Sequence, residues 1–282
     1  MSTVLFDTPG PRARRRHRII AAIFGAIVIA VLYWALRKLH NEGVLTTEVA
    51  NDVLQNRNVK FLWEGFLKNL QAAGLAIAGS IALGLVLAAG RLSDHRLIRY
   101  PATLVVEFFR AVPLVLLILF FFYQYRDIGI LGCLVLGLML YNGAVLAEVF
   151  RAGVLAVDKG QSEAAYAIGM RKSQVMMQIL LPQAVKFMLP AIISQCVIIL
   201  KDTSLGFIIL YEEAVRRGRQ VAQFVDDGGI ITFSVVAIAF ILVNYSLSKL
   251  AEFLERRLAR RGEKPINKEA IEAGLGGGGG VP

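Results

Sequence analysis

Residues 19–36 read IIAAIFGAIVIAVLYWAL, without a single charge. About 20 apolar residues cross the hydrocarbon core of a bilayer as a helix, so this run can span with little tilt. Comparable runs follow at residues 70–90, 104–125, 129–147, 184–211 and 228–247. Such recurrence predicts an all-α polytopic membrane protein with six transmembrane helices. Composition agrees, with 56% of residues hydrophobic and only 18% charged, where a soluble domain carries about a quarter. The basic stretch PRARRRHR before the first run resembles the start of a signal peptide. The run is longer than the ~7–15 residues of a signal sequence and no small-x-small cleavage site follows, so we expect a retained span.

A net charge of +10 raises the question of nucleic acid. The basic residues cluster beside apolar runs, which is the pattern membrane orientation leaves. With six spans both termini share a side. That side holds 19 Lys and Arg outside the spans and the other side 8, so the termini are expected in the cytoplasm and nucleic acid is not an expected partner. Cys133 and Cys196 lie inside apolar runs and read as small buried hydrophobes. His17, His40 and His95 are far apart, and no metal-ligand spacing occurs, so neither a metal nor a cofactor is expected.

Residues 162–182, SEAAYAIGMRKSQVMMQILLP, break the membrane pattern. Ser162 can cap a helix, and Glu163 in a first turn suits the positive end of the helix dipole. Ala164, Ala165 and Ala167 give a face without bulk, Gly169 permits a sharp change of direction, and Pro182 is expected to end the second helical piece. A short rigid helix tied to spans at both ends can pass a push from a cytoplasmic partner. It can equally rest on lipid headgroups. The residues alone leave both readings open.

The spacing resembles the signature of permease subunits of ABC-type importers: Glu-Ala-Ala, three residues, Gly, nine residues, Ile-x-Leu-Pro. Glu163, Ala164, Ala165, Gly169, Ile179, Leu181 and Pro182 fit it without a gap. The stretches EFFRAVPLVL (107–116), AEVFRAGVLAVDKGQSEAA (147–165), LPQAVKFMLPAI (181–192) and LKDTSL (200–205) are similar to the subfamily that imports polar amino acids. The extra N-terminal span and basic leader resemble a permease subunit of the actinobacterial glutamate importer. Two positions depart from the subfamily: Ala152 stands where Gly is usual, and Asp158 where Pro is frequent.

The resemblance implies a division of the chain. Residues 1–18 would be a basic cytoplasmic N-terminus, and 19–60 the extra span with an extracytoplasmic loop. Residues 61–254 would form the permease domain, with a coupling helix at about 161–180. Residues 255–282 would be a basic helix end and a glycine-rich, disordered cytoplasmic tail. It further implies that Glu163, Ala164, Ala165 and Gly169 dock in a groove of an ATP-binding ABC ATPase dimer. A second permease subunit, identical or related, an extracytoplasmic substrate-binding protein, membrane lipid and an amino acid substrate complete the implied partners. The chain has no Gly-Lys dipeptide and hence no phosphate-binding G-x-x-x-x-G-K-[ST] loop. ATP hydrolysis is therefore expected in another chain, and this one is not expected to be an enzyme.

Charge inside a membrane costs about 2.5–3.5 kcal/mol at the bilayer centre on insertion scales, and so faces the protein interior or a wet path. Lys201 and Asp202 are neighbours and point about 100° apart on a helix, so they do not simply neutralise each other. With Gln195 and Asn142 they are the candidate translocation path, although Asn142 and Gln195 also suit plain interhelical hydrogen bonds. Glu107 with Arg110, and Glu148 with Arg151, are spaced to form structural ion pairs. The segment 211–227 is either a contact for a binding protein or a solvated amphipathic helix. A rival reading is a self-sufficient proton-coupled secondary transporter using Lys201, Asp202 and Glu148 as a relay; it predicts uptake by this chain alone.

Overall fold

The computed structural model describes residues 10–260. Among them there are helices and no strands. The glycine-rich tail expected to be disordered lies outside the described residues.

The chain opens with α1 (Pro11–Asn41), whose proline sits in the first turn, where its missing N–H is no loss. A short α2 (Thr47–Val53) follows, capped by Thr46, which accepts from Val49 N at 3.3 Å. The long α3 (Asn56–Arg91) has 36 residues, about 54 Å at 1.5 Å per residue, and so outreaches a bilayer core of about 30 Å. Beyond it come α4 (Arg96–Ala111), α5 (Leu114–Gln124), α6 (Gly129–Leu155) and α7 (Lys159–Ala167). The one-turn α8 (Lys172–Gln174) then runs through a π-helical turn, Val175–Leu180, into α9 (Leu181–Asp202). The chain finishes with α10 (Ala214–Phe224) and α11 (Gly229–Arg260).

Two compact units emerge. Met1–Phe61 with Gly218–Val235 form one, and Leu62–Arg217 with Val236–Pro282 form the other. In the larger unit α6 is the central helix, packed against α4, α5 and α9. Two apolar clusters divide its length. Leu134 and Leu138 meet Ile118 and Ile199 in one, and Leu146, Phe150 and Val154 meet Val106, Ala184 and Met188 in the other. On α3 the buried residues Ala72, Ala76, Ser80, Gly84 and Ala88 recur every fourth position and form a stripe of small side chains. In lipid, where apolar burial gives little drive, small residues let helix backbones approach and gain packing contacts. Gly84 shows this: a Cβ there would lie 3.0 Å from Leu146 Cβ and 3.1 Å from the Gly143 carbonyl oxygen.

Two expectations need correction. The run 104–125 is not one straight span. It breaks at Val112–Pro113 into α4 and α5, bent by 98°. Pro113 has no N–H to continue the ladder, and the residue before a proline is pushed out of the helical region, as Val112 is at φ −78°, ψ 128°. Among the described residues five helices are therefore long and apolar enough to cross, or six if the bent pair counts as one span. Second, Pro182 does not end a helix. The run Lys172–Ile209 is continuous, and Pro182 sits in the first turn of α9. The wider π turn just before it accommodates the proline ring and absorbs the lost donor.

Candidate functional site

The segment that broke the membrane pattern is the tip of a hairpin between α6 and α9, two helices in extensive contact. Its helix α7 starts earlier than expected. Asp158, not Ser162, is the N-cap, and its Oδ1 accepts from Gly160 N at 2.7 Å. Ser162 Oγ instead donates to the Lys159 carbonyl at 2.8 Å, and Glu163 falls beyond the first turn. The departure at Asp158 thus has a physical role: its carboxylate caps the helix, which a proline side chain could not do.

The alanines divide between two faces. Ala165 is buried at 5% exposure, in the helix that packs on Val175–Leu180. Glu163, Ala164 and Ala167 are exposed, as are Tyr166 and Ile168, the last at 79%. The outward face sets the small Ala164 and Ala167 beside two large side chains, Tyr166 and Ile168. Gly169 closes α7 at φ +83°. Its N–H donates to the Tyr166 carbonyl at 2.9 Å, and Met170 N–H to the Ala165 carbonyl at 3.1 Å. This is the paired bond pattern of a Schellman cap, which needs a left-handed residue at this point. No atom lies within 4 Å of where a Cβ would stand, so the backbone angle and not lack of room requires glycine. Gln183 ties the segment to α9, donating to the Ile179 carbonyl at 3.0 Å and to Gln161 of α7 at 3.4 Å.

Four charged residues expected as two local pairs form one network. Arg151 meets Glu148 at 2.6 Å and Arg110 meets Glu107 at 3.7 Å. Sequence reasoning missed the link, Arg91, at the end of α3. Its guanidinium bonds Glu148 and reaches Glu107 at 3.6 Å, and its side chain is 10% exposed. One arginine therefore joins the ends of α3, α4 and α6. The available signal was its place directly after the small-residue stripe, which carries it into a packed interface. Nearby, Asp94 pairs with Lys172, linking the α3–α4 loop to α8. That hydrogen bond holds the Asp94 carboxyl below the usual range.

The candidate path residues separate. Gln195 Nε2 donates to Asn142 Oδ1 at 2.6 Å, and Asn142 Nδ2 to the Leu138 carbonyl at 2.9 Å, both side chains buried. They join α6 to α9 as an interhelical hydrogen bond. Lys201 is exposed and Asp202 half-buried at the far end of α9.

Segment 211–227 holds a polar cluster that its sequence did not reveal. Glu213, fully buried, is the residue before α10. Its carboxylate accepts from Val215 N at 2.8 Å, Arg216 N at 2.7 Å and Asn69 Nδ2 at 3.2 Å. Asn69 also donates to Thr203 at 2.9 Å and accepts from Ala214 N at 3.0 Å. Burial pushes the Glu213 carboxyl above its usual range, against the pull of these donors. Arg217 bonds Glu64 of α3 at 2.9 Å. An acidic residue immediately before a helix was the readable signal; its burial was not.

Comparison with known proteins gives concordant results. The sequence profile described as "binding-protein-dependent transport system inner membrane component" matches residues 80–260. The glutamate transport system permease protein GluD of Corynebacterium glutamicum is 40% identical over 214 residues, covering 73% of this chain and 78% of that one. The probable glutamine ABC transporter permease protein GlnP of Bacillus subtilis is 34% identical over 206 residues, 71% of this chain and 94% of its own. Among solved structures, an amino acid ABC transporter with histidines superposes with TM-score 0.64 at 27% identity, over 71% of this chain and 95% of that chain. The MetNI methionine ABC transporter, at 16% identity and TM-score 0.63, covers 73% of this chain and 99% of its own and shares the fold.

Proposed function

We infer that this chain, which belongs to the family of binding-protein-dependent transport system inner membrane components, is the permease subunit of an ATP-driven amino acid importer. The observation that carries the reading is the Glu163–Pro182 spacing realised as a capped, outward-facing helix at the tip of the α6–α9 hairpin. A rigid body seated on two packed spans delivers a push to both at once. We assign that push to a separate ATPase dimer in the cytoplasm, with Glu163, Ala164 and Ile168 on the docking face and Gly169 fixing its angle. A second permease subunit and an extracytoplasmic substrate-binding protein complete the assembly. The chain resides in the plasma membrane with both termini inside. Glutamate is the proposed substrate, supported by the relatives with that name or the glutamine name.

Uptake of labelled glutamate into proteoliposomes is the test. Chain, partner ATPase and binding protein together, with ATP inside, should accumulate substrate, and the chain alone should not. Uptake by the chain alone, driven by a proton gradient, would establish the secondary transporter instead. Alanine at Lys201 or Asp202 should depress uptake more than protein level if these residues line or brace the path. Normal transport by both variants would reduce them to packing.

A further inference from the structure

Behind the exposed face of the coupling segment lies a cavity of about 590 Å³ within the larger unit. Its walls come from α3, α6 and the run from α8 into α9. The wall side chains, such as Leu85, Phe150, Met176 and Met188, are almost all apolar. Polar groups gather where Asp94 and His95 of the α3–α4 loop meet Lys172 and Ser173. This size, with an apolar lining and few polar groups, is that of a small-molecule site, typically about 300–1,000 Å³. The chemistry it offers is that of an amphiphile, a long apolar body with one polar head.

We propose that the cavity holds an acyl chain of an anionic membrane phospholipid, with its phosphate at Lys172. Three observations point to that occupant. The polar groups sit at span ends: α3 stops at Arg91, and the long helical run through α9 starts at Lys172. Charge there is complementary to an anionic head, since Asp94 is the one acid in the lining and both Lys172 and Arg99 act on it. The adjoining helix α4 leaves Leu97 91% exposed and Leu104 72% exposed, which suits contact with acyl chains. Lys172 now pairs with Asp94, but both side chains are at least half exposed, 50% and 76%. A pair so solvated is weak, and Lys172 is free to turn to a phosphate. Val175–Leu180, on which α7 packs, supplies part of the wall, so a bound chain backs the coupling helix. The inference requires the membrane-spanning fold only, and stands whatever solute is carried.

The test uses the full chain in phosphatidylcholine nanodiscs carrying a trace of phosphatidylglycerol or of phosphatidylcholine, each with a diazirine on the acyl chain. After irradiation the labelled peptides are mapped. Phosphatidylglycerol label should concentrate severalfold on residues 85–92 and 176–192. Ala89→Trp, which fills the cavity, should abolish it, and Lys172→Glu should bring the two lipids level. Should Ala89→Trp fail to elute as a single species, Met177→Trp fills the space from the opposite wall. Equal labelling by both lipids, label that survives both tryptophans, or a cavity closed to both lipids because a second protein chain fills it, would each overturn the proposal.

Discussion

Gly169 and Glu213 show how much one residue can decide here. At φ +83° a β-branched side chain costs about 1–2 kcal/mol, whereas asparagine tolerates the left-handed region. Gly169→Val should therefore loosen the cap, raise amide exchange at Gly169 and Met170, and weaken ATPase co-purification. Gly169→Asn should stay near wild type. Equal behaviour of the two variants would mean that the backbone angle is irrelevant to docking. Glu213 gives a pH dependence whose sign is fixed. Burial raises its folded-state value above the unfolded one of about 4.3. The stability it contributes is then full below that unfolded value and lost as pH rises through the folded one. Melting curves from acid to neutral pH should show wild type losing stability relative to Glu213→Gln as pH rises; the opposite slope would contradict the assignment.

At the scale of elements, Arg91 and Pro182 set how helices meet. Arg91→Met removes the group that joins α3 to both Glu107 and Glu148, and hydrogen bonds to charged groups are worth about 1.5–3 kcal/mol. Destabilisation of about 2 kcal/mol is expected in thermal unfolding, with Arg91→Lys intermediate because a point charge cannot span two carboxylates as a planar fork does. An unchanged melting point in both variants would show that the local pairs suffice. Pro182→Ala restores a donor and lets the π turn relax to an α-helix. The helix itself gains stability, but α7 loses its register against Val175–Leu180. We expect better thermal stability with poorer uptake; improved uptake would show that the π turn has no part in coupling.

For the whole molecule the open quantity is parity. The 98° bend between α4 and α5 makes them either one broken span or a re-entrant pair. Six crossings would put the termini together, on the side that then carries 19 of the basic residues against 8. Cysteine at His95 should then label from the cytoplasm and cysteine at Asp127 from outside, with reporters at Gly10 and after Pro282 both inside. Labelling of both cysteines from one side would make the pair re-entrant and place the termini on opposite faces.

Much of this was legible in the chain because membrane helices and the coupling spacing are local. An unbroken apolar run of about 20 residues marks a span, and seven residues at set intervals mark the segment 163–182 without reference to anything distant. Turn chemistry is local too, so Gly169 could be singled out, although its reason, a left-handed angle and not a crowded backbone, needed coordinates. Three things only the tertiary structure decided. Arg91 counted as one more loop charge until packing of the small-residue stripe brought it between Glu107 and Glu148. Ala165 and Ala164 are adjacent, identical residues, and only the position of Val175–Leu180 makes one inward and the other outward. Glu213 stood in a segment that suited either a binding-protein contact or a solvated helix until Asn69, 144 positions away, supplied a buried donor. In each case the deciding partner lies outside the element that carries the residue, and sequence spacing carries no distance to it.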